Sequence, residues 1–237
     1  MAEKGGWKTG AVAGLTGLLI GGGAVGRYYG FAAPDRAATE AIVRDYILNN
    51  GEILPEAMDR VAQRRAAASV GQHRAVLERP FHGAWAGAAD GDVVLVEFFD
   101  YACGYCRQSN PDVERLLRED PRLKVVWREL PVLGPASEAA AHVSMAAARQ
   151  GRFRQFHERL FALGRPTEAT VAQAMRDAGV AGAAPTAEGQ AELARNYDLA
   201  RRIGATGTPT FVVGNRVFEG AVGYKALKDA IAAARAG

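Results

Sequence analysis

"FFDYACGYCRQ", residues 98 to 108, holds both cysteines of the 237-residue chain, two residues apart and directly after an apolar run. That run, Val93 to Phe99, is interrupted only by Glu97, the pattern of a strand buried on both faces. Gly104 to about Arg118 reads as a helix and Leu123 to Trp127 as the next strand. A strand, a helix and a strand so close together form a βαβ unit with a parallel pair, and the cysteines stand at its strand-to-helix junction.

Such a pair can be a metal clip, a structural staple or a reaction centre. A zinc site needs four protein ligands, or three with a water, and only two cysteines are present. His73, His82, His142 and His157 have no spacing that completes a site, and the last two suit surface or core faces of helices. A staple closing a loop of two intervening residues removes little chain entropy. Redox chemistry remains. Cys103 falls at a helix N-terminus, where unpaired N–H groups and the helix dipole stabilise a thiolate, so it is the expected nucleophile. Cys106, one turn further in, can close a disulfide and resolve a mixed disulfide; as the more buried thiol it needs a base. Glu97 shares a strand face with Leu95 and Phe99, and a carboxylate buried there has its pKa raised. Its alternative use is an ion pair with an arginine at the sheet edge.

Around this unit the chain changes character three times. From Ser137 to Gly204 the signals are all helical, with N-caps expected at Ser137, Thr167 and Thr186 and stops at Gly151 and Gly179. This is a helical insertion over about residues 135–204. The end returns to β structure with "TFVV", a Gly214-Asn215 turn and "RVFEG", then a closing helix from Tyr224 to Arg235. Before the unit, residues 34–79 form a thinly apolar helical extension. Asp35 caps a helix carrying Ile42, Val43, Tyr46 and Ile47, and a second helix from Pro55 offers Met58, Val61 and Val70. So little apolar area must lean on something: a second copy of the chain, its own catalytic domain, or nothing if it is a spacer.

The N-terminus carries 18 uncharged residues, 9 to 26, after Lys4 and Lys8. They suffice to span a membrane if Tyr28, Tyr29 and Phe31 sit in the far interface, which makes residues 1–30 a cytoplasmic tip and signal-anchor. A cleaved signal peptide is the rival, with Gly30-Phe31-Ala32 at the cleavage site. Either export route places the rest where disulfides form. The 49% hydrophobic content suits a globular core. A formal charge of +3 arises without charge blocks or interleaved aromatics, which argues against a nucleic-acid partner.

Taken together, "VEFFDYACGYC", Pro111 five residues after the second cysteine, the helical insertion and "TGTPTFVVGNRVFEGAVGY" resemble the DsbA-like branch of the thioredoxin superfamily over residues 80–237. The resemblance implies an α/β thioredoxin fold with an inserted helical subdomain, and a cis Thr208-Pro209 peptide facing the disulfide. It further implies client contacts at Gly104, Tyr105, Thr208 and Pro209, and Glu97 as proton partner of the second thiol. Pro111 kinks the first helix. Such proteins act on protein clients with cysteines, draw on a membrane redox partner of DsbD or DsbB type, and use no cofactor or metal beyond the Cys103-Cys106 disulfide. They work in the bacterial periplasm, here held at the inner membrane by the N-terminal helix. Gly104-Tyr105 supplies no cation to the thiolate and, with Thr208, looks more like disulfide isomerases and DsbA-like proteins of the ScsC and Com1 type. Those carry an N-terminal oligomerising segment where residues 34–79 stand. Isomerase or reductase, dithiol oxidase, and a copper(I)- or thiol-binding protective protein are the three functions left open.

Overall fold

The structure is a computed structural model and describes residues 35–237. The chain divides into two compact units at Met58/Asp59. In the described part of the first lie helix α1 (Arg36–Asn49) and the start of α2 (Ile53–Leu77). The Asp35 carboxylate caps α1 by accepting from the Ala37 N–H. None of residues 35–58 is buried, and Ile42 and Met58 are 70% and 71% exposed.

The second unit contains the rest of α2, then β1 (Trp85–Gly87), β2 (Val93–Phe99), α3 (Gly104–Glu119), β3 (Leu123–Glu129), α4 (Pro135–Arg149), α5 (Phe153–Leu163), α6 (Glu168–Ala178), α7 (Ala187–Ile203), β4 (Thr210–Val213), β5 (Arg216–Glu219) and α8 (Gly223–Ala236). Its five strands form one sheet of order β1-β3-β2-β4-β5, with β2 and β3 parallel and the other pairs antiparallel. This is a mixed α/β, thioredoxin-like fold with four helices between β3 and β4.

Because side chains alternate along a strand, β2, β3 and β4 feed two separate cores. Leu95, Phe99, Val125, Trp127 and Phe211 pack on one face with residues of α3, α5 and α8. Val96, Phe98, Val126 and Val212 pack on the other with Val70 and Leu77 of α2 and Leu199 and Ile203 of α7.

Several elements depart from the sequence reading. Strand β3 runs two residues past Trp127, because Arg128 and Glu129 are buried rather than marking a solvent edge. Helix α2 begins at Ile53, not Pro55; proline fits the first turn, where its missing N–H leaves no bond unmade. Ser137 is not an N-cap. Gly134 holds that position with Pro135 first in the helix, and Ser137 is buried inside α4. Thr167 and Thr186 do cap α6 and α7, and Gly179 ends α6 in the left-handed conformation. Strand β1 was not legible: three residues carry no periodicity. Gly87 ends it at φ +88°, where a Cβ would stand 2.1 Å from the Leu123 carbonyl oxygen. The membrane segment expected over residues 9–26 lies outside the described residues, among which no helix is long and apolar enough to cross a membrane.

Candidate active site

Cys103 is the N-cap of α3, in extended conformation at φ −78° and ψ 119°, and Cys106 lies in the first turn. Both are free thiols. Cys103 is 6% exposed, and Cys106 is completely buried. Opposite them runs the loop into β4, with its cis Thr208-Pro209 bond. As a thiol, Cys103 Sγ donates to the Thr208 carbonyl at 3.1 Å. Pro209 directs its own carbonyl to the Gly220 N–H of the neighbouring segment, so β5 holds the loop in place.

The two thiols are driven apart electrostatically. Cys103 is lowered to about 5, chiefly by the hydrogen bond from the Cys106 thiol, with the Thr208 side chain and the Tyr105 and Cys106 backbone N–H groups adding to it. Burial opposes this and is outweighed. Cys106 is pushed far above the ordinary thiol range by burial first, then by its bond to Cys103 and by the charge of Glu97. At neutral pH the outer sulfur is therefore a thiolate and the inner one a thiol.

Glu97 lies in the middle of β2 and is fully buried. Its carboxyl meets no arginine; Trp127 Nε1 donates to Oε2 at 3.0 Å, and Oε1 has no partner among the described residues. Burial lifts its pKa to about 8, against a smaller lowering by the Trp127 bond. An acid poised there can hold or accept a proton near physiological pH.

Asp100 and Trp127 were not singled out by sequence. Asp100 is buried, and its carboxylate accepts from Ala102 N at 2.7 Å and from Leu133 N at 2.9 Å, while its carbonyl accepts from Cys103 N. It thus ties the redox turn to the loop after β3. That loop displays Val132 and Leu133 to solvent, and Tyr105, between the cysteines, is a third large exposed side chain. An Asp three residues before a helix-capping Cys was the available signal; the long-range contact to Leu133 had none. Gly104 is exposed, and no atom lies within 4 Å of where its Cβ would be, which leaves the approach to Cys103 open.

His157 stacks on Phe153 at 5.2 Å and lies edge-on to Phe99 and Phe161. Burial lowers it to about 3, so it is a neutral core residue. Pro111 sits within α3. Among the described residues no group of three or more His, Cys, Asp or Glu could hold a metal ion.

Residues 94–232 match the DSBA-like thioredoxin domain family, and residues 35–68 match the N-terminal domain of the copper resistance protein ScsC. A linker-deletion mutant of Proteus mirabilis ScsC superposes with a TM-score of 0.73 at 28% identity, covering 87% of this chain and 99% of that one. A periplasmic thioredoxin-like protein from Salmonella enterica serovar Typhimurium gives 0.65 at 28% identity, over 70% of this chain and 96% of that one. The Na(+)/H(+) antiporter NhaA 1 of Salinispora arenicola is 31% identical over 167 residues, 64% of this chain but 24% of the antiporter. The chain thus spans about a quarter of the length of that curated relative.

Proposed function

The chain belongs to the DSBA-like thioredoxin domain family of thiol-disulfide oxidoreductases, and from that premise we propose that Cys103 and Cys106 exchange disulfides with protein clients, with Glu97 moving the proton. The observation that carries this reading is the split between the thiols: a stabilised outer thiolate, a buried inner thiol and an acid of pKa about 8 beside them. The Cys103 thiolate attacks a client disulfide, one client sulfur leaves as a thiolate, and a mixed disulfide forms. Cys106 gives its proton to the Glu97 carboxylate and attacks Cys103 Sγ. The Cys103–client bond breaks, the Cys103–Cys106 bond forms and the second client sulfur leaves. The client has gained two electrons and the protein has lost them, so turnover as a reductase needs an electron donor of DsbD type. In isomerisation a client thiol attacks instead, releasing the Cys103 thiolate with no net redox change. Oxidation runs the sequence backwards and needs a DsbB-type acceptor.

Isomerase or reductase is the direction we favour. Gly104 and Tyr105 place no cation between the two cysteines that would further stabilise the reduced form and so make the disulfide more oxidising. Extended clients would lie between Thr208-Pro209 and the exposed Tyr105, Val132 and Leu133 side chains. Recovery of activity from scrambled ribonuclease supports this direction; ready oxidation of reduced ribonuclease without such recovery overturns it. The open apolar side chains of α1 favour self-association of the extension, as two sites facing one cleft would suit isomerisation. Because Val70 and Leu77 belong to the second core, the test is removal of residues 34–58, which should give a monomer that oxidises thiols but no longer isomerises. An unchanged sedimentation mass counts against it. Export to the periplasm, through residues 9–26 as anchor or cleaved signal, is the compartment this chemistry requires.

The match to a copper resistance protein favours a second reading, copper(I) held between the two thiolates. The matched residues 35–68 contain no cysteine or histidine, so the metal would fall on Cys103 and Cys106. Copper titration of the reduced protein with no excess over Cys103→Ser would remove this reading.

A further inference from the structure

We infer that Trp127 is a positioning residue of the proton step: its indole N–H holds one oxygen of Glu97 and so confines the travelling proton to the other. The inference rests on the reading of Glu97 as the proton partner of Cys106.

The parallel register sets Glu97 directly opposite Trp127, with both side chains on the face of the sheet that carries the cysteines. The indole nitrogen can only donate, and the oxygen it meets must accept. At 3.0 Å from Nε1, Oε2 is committed as an acceptor whether the carboxyl is charged or neutral. A proton on the carboxyl therefore sits on Oε1, which is buried and has no competing partner among the described residues. Trp127 cannot swing away easily. It is 3% exposed and packs against Phe153 at 5.6 Å and His157 at 5.3 Å. It also borders a cavity of about 400 Å³ lined by Arg107, Pro111, Glu114 and Phe161 among others.

The other ionisable groups of this face are accounted for. Cys103 and Cys106 come from the start of α3, and Cys103 in its charged form raises Glu97. Beside Trp127, His157 of α5 is neutral at working pH. Glu129, two residues along β3, is held protonated by burial, and Tyr101 is likewise pushed well above its ordinary range. Arg107 and Glu114 of α3 and Glu158 of α5 line the cavity that Trp127 borders, and none of them is among the groups that shift Glu97. From β4, Glu97 faces the uncharged Phe211. Trp127 is thus the group whose bond favours the ionised acid, against burial and Cys103.

The decisive experiment follows the Trp127 indole ¹⁵N–¹H signal and the Glu97 side-chain carbon by NMR in the reduced protein. Both should titrate with one midpoint near 8, and the indole response should vanish in Glu97→Gln. An indole signal that stays flat while Glu97 titrates overturns the inference without any substitution. In Trp127→Phe the loss of one hydrogen bond to a charged group should move the Glu97 midpoint up by about one pH unit, roughly a tenfold smaller ionised fraction at pH 7. Mixed-disulfide resolution at pH 7 should slow about tenfold and recover at higher pH. An unshifted rate profile in a folded Trp127→Phe protein overturns the inference while leaving Glu97 in place. An unchanged profile in Glu97→Gln overturns the reading of Glu97 itself, and this inference with it.

Discussion

The two faces of the central sheet each bury a charge-bearing side chain from adjacent strands, Glu97 on one and Arg128 on the other, and treat it in opposite ways. Arg128 is 2% exposed and saturated: it donates to the Val76, Leu77 and Arg79 carbonyls at the end of α2 and to Glu192 and Asn196 of α7. It closes a helix C-terminus whose last carbonyls have no partners within the helix. Glu97 has one donor, one idle oxygen and a pKa moved to the middle of the physiological range. A buried polar group with every bond made is architecture, and one left short of partners is held ready to change protonation state. Burial alone separates neither.

The largest effect should come from breaking the saturated side. Arg128→Met leaves Glu192 buried, with Arg195 as its one remaining ion-pair partner among the described residues, and strands three carbonyls, for an expected loss of about 3–5 kcal/mol in denaturant unfolding. The Cys103–Cys106 potential should stay unchanged. A loss under about 1 kcal/mol would mean the clasp is ornamental.

Glu97→Gln should do the reverse. The folded carboxyl has its pKa raised from 4.5 to about 8, so the stability it brings is complete below about pH 4.5 and drains away as pH rises to about 8. The glutamine variant lacks this slope and should be the more stable protein above pH 8, by a few kcal/mol at most. Parallel stability curves for the two proteins between pH 5 and 9 would contradict the raised pKa. Smaller again is Cys106→Ala, which removes the main hydrogen bond holding Cys103 down. The Cys103 titration, read from thiolate ultraviolet absorbance, should move up from about 5 by at least about one unit. A midpoint still near 5 would assign the lowering to the helix start alone. The least effect belongs to removing residues 34–58: none of residues 35–58 is buried, so unfolding of the remainder should change by no more than about 0.5 kcal/mol.

Where local rules govern, sequence and structure agree closely. Strand β2 has the bounds its apolar run predicts, α3 starts at Gly104 after the extended residue Cys103, and Thr167, Thr186 and Gly179 bound their helices by hydrogen bonds spanning three to five residues. The failures are equally physical. Arg128 and Glu129 look like the end of a strand because charge usually means solvent, and nothing near them announces the carbonyls of α2 or the side chains of α7 that receive Arg128. The burial of Glu97 was legible from its neighbours; the indole that replaces the suspected arginine was not, since it arrives from 30 residues away through the β2–β3 register.

By itself, then, the sequence determined most of the elements, though not β1 or the end of β3, together with a cysteine pair at a helix start and an acid in the strand before it, because each follows from periodicity, capping and the cost of burial over a few residues. Only the tertiary structure decided which buried group is satisfied and which is idle. Hydrogen-bond saturation depends on partners brought together from distant segments, and that difference separates Arg128, with every donor used, from Glu97, with one oxygen unpartnered among the described residues, the feature on which its proposed proton role rests.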